Sequence, residues 1–176
     1  MKHRIVITGA ESTGKSTLAK ALSAHYREPW TAEFVRSYVD QLQRNLQGQD
    51  LNPIAAGQLA LEDRQLNSAR QLIIHDTNIL SSILYADHYF DTELDWVWQR
   101  FLERDYSLYL LCVPDIPWQA DPGQRDSADA REYLQQRFKD TLDRLQLPYI
   151  EISGTPPARL AQAVVAIDSL RIAAQK

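Results

Sequence analysis

The sequence predicts an α/β domain built on a mostly parallel sheet. Short β-branched runs alternate with longer helical patterns along the whole chain. Five such runs occur, at 4–8, around 29–31, 72–75, 107–113 and 148–152, and a helix-length segment follows each. The 176 residues, 44% of them hydrophobic, suit one domain with a self-sufficient core rather than a disordered chain.

The elements follow from local pattern. Arg4-Ile5-Val6-Ile7-Thr8 reads as a buried first strand, since a continuous apolar run suits a strand covered on both faces. Residues 15–26 form a helix with Leu18, Leu22 and Tyr26 at i, i+4 and i+8. Pro29-Trp30-Thr31 is a short second strand. Residues 33–46 read as a helix carrying Val35, Val39, Leu42 and Leu46, broken at Gly48-Gln49-Asp50. Asn52 caps and Pro53 opens a helix that reaches residue 70. Leu72-Ile73-Ile74-His75 is the third strand, and helical segments at 81–89 and 92–103 come next. Residues 107–113 are the fourth strand, stopped by Pro114. A polar connection spans 115–126. Residues 128–145 return to helix, striped by Tyr133, Leu134, Phe138, Leu142 and Leu145. Pro148-Tyr149-Ile150-Glu151-Ile152 is the fifth strand. Thr155-Pro156-Pro157 opens a last helix through Leu160, Val164, Ile167 and Leu170. Residues 1–176 thus make one three-layer domain, without repeats or low-complexity tracts.

Charge and cysteine content narrow the function. Nineteen Lys and Arg face 23 Asp and Glu, a net −4, so nucleic acid is not an expected partner. The lone Cys112 lies in an apolar run and reads as a buried, inert thiol; it excludes an internal disulfide and a Cys-rich zinc site. No apolar run approaches the ~18 residues of a membrane span, and the N-terminus lacks a signal-peptide core. The expected compartment is the cytoplasm, with no membrane partner.

Gly9-Ala10-Glu11-Ser12-Thr13-Gly14-Lys15-Ser16 matches the phosphate-loop pattern G-x-x-x-x-G-K-[ST] at every fixed position. The glycines let the backbone turn tightly, so successive N–H groups point at phosphate oxygens. The helix that opens at Lys15 adds the positive end of its dipole. Lys15 is expected to reach the β and γ phosphates of a nucleoside triphosphate, and Ser16 to offer its hydroxyl to Mg²⁺. Gly9, Glu11, Ser12, Thr13, Gly14, Lys15, Ser16 and Thr17 form the expected nucleotide site. A strand directly before and an amphipathic helix directly after supply the context a chance match would lack.

Asp76 follows the third strand, where an acid can hold Mg²⁺, and that role is favoured over a cap on the next helix. His75 points to the opposite face and reads as a packed strand residue. Glu33 and Arg36 follow the second strand, either as acceptor-binding groups with Glu33 as a base or as an ordinary solvated helix start. Arg125 and Trp118 lie in the long connection, which is either a lid delivering an arginine to the phosphoryl group or a plain loop. Arg131 is a second candidate for that role. Trp30 and Trp118 are candidates to stack on a flat ring, whereas Trp96 and Trp98 sit in a helical pattern and read as packing residues.

These residues resemble the ribosylnicotinamide kinase domain of the bacterial NadR family, grouped with AAA-type phosphate-loop domains. The resemblance rests on the loop 9–16, on Glu33-Phe34-Val35-Arg36, on Asp76-Thr77-Asn78, on the stretch from Trp118 to Arg125, and on Leu147-Pro148-Tyr149-Ile150-Glu151-Ile152. It implies strand order 2-3-1-4-5, as in nucleoside monophosphate kinases, with a lid over about 115–131. It implies ATP-dependent phosphorylation of nicotinamide riboside to nicotinamide mononucleotide, in NAD salvage. Catalytic roles are implied for Lys15, Glu33, Asp76 and Arg125, and metal binding for Ser16 and Asp76. Acceptor binding is implied for Glu33, Arg36 and Asp76, with Trp30 and Trp118 as the stacking candidates.

Two positions depart from the family pattern. Ser37 and Asn78 stand where the family often has acids, which touches the acceptor site rather than the ATP site. Full NadR proteins also carry a nucleotidyltransferase domain and sometimes a DNA-binding one; neither activity is expected of these 176 residues. The alternatives are a kinase for another nucleoside or small metabolite, and a slow ATP-binding regulatory module.

Overall fold

The computed structural model describes residues 2–117 and 128–174. The elements in chain order are β1 (His3–Thr8), α1 (Lys15–Tyr26), β2 (Trp30–Thr31), α2 (Phe34–Gln41), a 3-10 turn (Gly48–Asp50), α3 (Leu51–Ser68), β3 (Leu72–Asp76), α4 (Ile79–Phe90), α5 (Asp95–Leu102), β4 (Leu108–Cys112), α6 (Ala128–Arg144), β5 (Tyr149–Ile152) and α7 (Pro156–Ala173). The strands form one parallel sheet, ordered β2-β3-β1-β4-β5. That is the order the family resemblance implies.

Alternation along the strands sends side chains to two cores, one on each face. Ile5, Ile7, Leu110 and Cys112 pack under α1 and α7 with Leu18, Leu22, Ala163 and Ile167. Val6, Tyr109 and Leu111 face the other way, against α3–α6 with Leu59, Ile83, Phe101 and Phe138. Both faces are covered, which is why the strands read as continuous apolar runs. Cys112 is buried and burial pushes its thiol up to about 11, as suits an inert packing residue. His75 is fully buried, with Nδ1 2.9 Å from Thr31 Oγ1, and burial lowers it to about 3.

Two expectations need correction. The helix expected over 33–46 stops at Gln41, and Leu42 turns extended. The following residues serve another bond: Arg44 grips Asp50 at 2.7 and 2.8 Å, and the Gln47 N–H donates to the same carboxylate. The stripe of α6 runs through Leu134, Phe138 and Leu142, while Tyr133 is exposed beneath Arg137. The expected stripe of α7 holds, with Ile167 buried and Leu160, Val164 and Leu170 packed against the same core, and Arg159 and Ala163 join it there as buried residues. Among the described residues no helix is long and apolar enough to cross a membrane.

Candidate active site

The loop between β1 and α1 turns through three left-handed positions, Gly9 (φ 125°), Ser12 (φ 52°) and Gly14 (φ 80°). A Cβ on Gly9 would lie 2.7 Å from the Cys112 carbonyl oxygen, so only glycine fits against β4 there. Carbonyls of the loop are held by side chains. Ala10 O accepts from Lys15 Nζ at 2.6 Å and from Thr13 Oγ1 at 2.8 Å. Ser12 O accepts from Arg131 at 3.0 Å, and Thr13 O from Arg159 at 2.9 Å. Arg159 is 2% exposed and also binds the carbonyls of Val113 and Gly154 and the Asp115 carboxylate. With these carbonyls engaged, α1 opens at Lys15 with no side-chain cap. Its first amides stay available to a phosphate anion.

Asp76 ends β3 beside this loop and is 2% exposed. Burial raises its carboxyl, opposed by a hydrogen bond from Ser16 and assisted by the charge of Glu33. Its Oδ1 has no hydrogen-bond partner among the described residues. A hydroxyl and an orphaned carboxylate oxygen together are hard donors of the kind Mg²⁺ takes, and Mg²⁺ keeps most of its other positions for water and phosphate. The donor set fits the ion. No group of three or more His, Cys, Asp or Glu that could hold a metal occurs among the described residues. The next residue, Thr77, is a β-branched side chain at φ 64°, its N–H bonded to Ile7 O at 3.0 Å. Such a conformation persists only where its surroundings impose it, and it turns the chain at the foot of the site.

Beside Lys15 opens a cavity of about 420 Å³ between α2, α3 and α4. Glu33 and Arg36 line it, paired at 3.0 Å. Tyr85 and Tyr89, one turn apart on α4, lie parallel at 5.8 Å and 7°, and the Tyr89 hydroxyl donates to Glu11 at 3.3 Å. At the rim Arg44 holds Asp50 well below the usual carboxylate range, helped by the Gln47 amide and the Tyr38 hydroxyl.

The structure therefore brings Lys15, Ser16, Asp76, Glu33, Arg36 and Glu11 to one place. Trp30 is not part of it. That ring packs against the α1–α7 core under Lys20, at 5.8 Å, which corrects its assignment as a stacking residue. Trp118 and Arg125 lie outside the described residues. Arg131 donates to Ser12 O and Ile116 O and does not line the cavity. Ser37 is exposed and bonds Phe34 O. Asn78 caps α4 through the Leu80 N–H and donates to the Tyr109 hydroxyl. Neither departure from the family pattern lies on the cavity wall. The tyrosine pair was detectable as i, i+4 aromatics; Arg159 showed only as a cation on an apolar stripe.

A family model described as an AAA domain matches residues 4–159. The trifunctional NAD biosynthesis/regulator protein NadR of Escherichia coli (strain K12) is 27% identical over 157 residues, which is 84% of this chain and 37% of that protein. A crystal structure of a NadR protein in complex with NR superposes with a TM-score of 0.83 at 19% identity, covering 96% of this chain and 49% of the other. Another, of NadR with NAD and AMP-PNP, gives 0.79 at 17% identity with the same coverage. The chain spans less than half the length of these relatives.

Proposed function

The chain belongs to the AAA-domain family, and on that premise we propose that it is an ATP-dependent kinase whose acceptor is the 5′-hydroxyl of nicotinamide riboside. The observation that carries this reading is the shared wall of loop and cavity: Lys15 and Glu33 both line the 420 Å³ space. A phosphoryl group held on the loop and a hydroxyl held in the cavity would meet there. The volume suits a nucleoside-sized ligand. The parallel tyrosines offer a flat face, and Glu11 and Asp40 add carboxylates that suit a cationic pyridinium ring. The NadR likeness, including complexes with NR and with AMP-PNP, supports both ligands.

Each residue has one task. The loop amides and Lys15 neutralise the ATP phosphates, the main catalytic requirement of phosphoryl transfer. Ser16 and Asp76 would hold Mg²⁺, which supplies further charge neutralisation on the phosphates. Arg36 fixes the Glu33 carboxylate at 3.0 Å. Glu33 accepts the proton of the acceptor hydroxyl as its oxygen bonds the γ-phosphorus and the bond to the ADP oxygen breaks. Glu33 is preferred over Asp76 as base because it lines the cavity, while Asp76 is bonded to Ser16.

The test is coupled ADP release with ATP and Mg²⁺, comparing nicotinamide riboside, a panel of other nucleosides, and no acceptor. Acceleration by nicotinamide riboside is expected. Acceleration by a different nucleoside alone overturns the acceptor. Binding of ATP with no acceleration by any acceptor overturns the kinase reading and leaves a regulatory module.

A further inference from the structure

The acceptor wall stands on an unusual foundation. Helix α2 has eight residues and buries none of them. Its N-cap residue Glu33 makes no side-chain cap bond, because that carboxylate faces Arg36. Such a short helix depends on what docks against its first turn. Two neighbours on α3 do so. Gly57 lets the Phe34 ring lie flush on α3, where a Cβ would come within 2.1 Å of the ring. Gln58, 3% exposed, accepts the Phe34 N–H on Oε1 at 2.9 Å.

A glutamine amide can face either way, and the two faces have opposite polarity. Glu62, one turn further along α3 and fully buried, decides which. Its Oε1 takes the Gln58 Nε2–H at 3.2 Å; its Oε2 takes the Tyr106 hydroxyl at 2.7 Å, with Arg104 at 3.7 Å. An ionised carboxylate only accepts. Gln58 must therefore turn its NH₂ to Glu62 and its oxygen to Phe34. We propose that Gln58 is a positioning residue for the acceptor site: oriented by Glu62, it caps α2 from α3 and so holds Glu33 and Arg36 on the cavity wall. This rests on reading the cavity as the acceptor site.

The surroundings of Glu62 make the arrangement sensitive to protonation. Burial pushes its carboxyl up to about 7, against the Tyr106 and Gln58 hydrogen bonds and the charges of Arg104 and Arg4. Asp63 draws both arginines outward, and His75 meets the Tyr106 ring edge-on from β3. Once protonated, Glu62 can donate as well as accept, and only the Phe34 N–H still fixes the direction of the Gln58 amide.

The experiment uses the whole chain with Gln58→Ala, Gln58→Glu and Glu62→Gln. It reads KM for nicotinamide riboside, KM for ATP, melting temperature, and hydrogen exchange over 33–41. Gln58→Ala is expected to raise the acceptor KM about tenfold, the scale of a lost cap, with ATP KM unchanged and α2 amides exchanging faster. Gln58→Glu sets two carboxylates side by side. It is expected to be as impaired as Gln58→Ala near pH 8, where the two charges repel, and rescued near pH 6, where the pair shares one proton and the introduced carboxyl can stay between Glu62 and the Phe34 N–H. Glu62→Gln should give an intermediate acceptor KM. Unchanged α2 exchange in Gln58→Ala overturns the proposal whatever the acceptor proves to be. So does an equal rise in both KM values, or a fall in melting temperature without pH rescue of Gln58→Glu, since these mark a merely structural residue. A wild-type chain that leaves nicotinamide riboside untouched overturns the acceptor reading instead, and exchange over 33–41 still decides the cap.

Discussion

Loop 9–16 and helix α2 border the same cavity but are held in different ways. In the loop, the carbonyls of Ala10, Ser12 and Thr13 are gripped by Lys15, Arg131 and Arg159, and the Ala10 N–H by Gln135 at 2.9 Å. Its Gly9 closes against β4, a fully buried interior strand, and Gly14 against the Ile116 side chain. Helix α2 hangs at the sheet edge, beyond the two-residue β2, on Gly57 and Gln58 of α3 and on the Tyr38 hydroxyl's bond to Asp50. The loop is built to stay rigid around a ligand common to many enzymes. On the proposed reading the helix is the adjustable half, where a few side chains choose the acceptor.

The largest expected effect separates chemistry from scaffold on the loop side. Lys15→Ala should lower kcat by about 10²–10⁴-fold, the range for a removed transition-state charge contact. Its melting temperature should stay near that of the wild type, because the side chain is only half-buried. A matched loss of melting temperature would make Lys15 a structural residue.

Arg159→Met probes the scaffold itself. It strips donors from the carbonyls of Thr13, Val113 and Gly154 and leaves Asp115 without its arginine. A loss of about 2–4 kcal/mol is expected in chemical denaturation, together with a raised KM for ATP. If KM for the acceptor rises instead, the two halves are not separable.

On the α2 side, pH is the lever. Glu62 is raised from its ordinary 4.5 to about 7, so the folded state holds a proton the unfolded state has lost between those values. Its contribution to stability is therefore full below about 4.5 and declines as pH rises to about 7. His75 works in the opposite sense: lowered from 6.5 to about 3, it adds stability as pH rises between those values. The two slopes offset each other between 4.5 and 6.5 in the wild type. Subtracting the unfolding free energy of Glu62→Gln from that of the wild type isolates Glu62. The difference should fall by roughly 3 kcal/mol from pH 4.5 to 7. A flat difference would mean that Glu62 is an ordinary carboxylate.

Gly57→Ala should give the smallest change. The added methyl forces the Phe34 ring off α3, costing about 1–3 kcal/mol as overpacking does. The acceptor KM should rise and the ATP KM should not. Equal shifts in both would break the contrast drawn between loop and helix.

The same contrast explains what could be read from the chain. The sheet was legible because Ile5-Val6-Ile7, Leu72-Ile73-Ile74 and Leu108–Cys112 are buried on both faces and carry no competing pattern. The loop was legible because its chemistry is backbone geometry, fixed by glycine spacing. Asp76, Glu33 and Arg36 were visible as acids and bases at strand ends. Helix α2 was overextended to residue 46 because Val39, Leu42 and Leu46 kept a helical period, whereas Arg44 answered to Asp50. Trp30 was misplaced because its position near the site in sequence said nothing of which sheet face it would join. Gln58, Glu62 and Arg159 act through partners 24, 44 and 146 residues away, separations no local pattern encodes.

The central claim is transfer of a phosphoryl group from ATP to nicotinamide riboside across the wall shared by Lys15 and Glu33. Mass spectrometry and phosphorus NMR of nicotinamide riboside incubated with the protein, ATP and Mg²⁺ test it directly. A 5′-monophosphate product formed with equal ADP, and absent in Lys15→Ala, is expected. ATP consumed at the same rate with and without the riboside, and the riboside recovered intact, would contradict it.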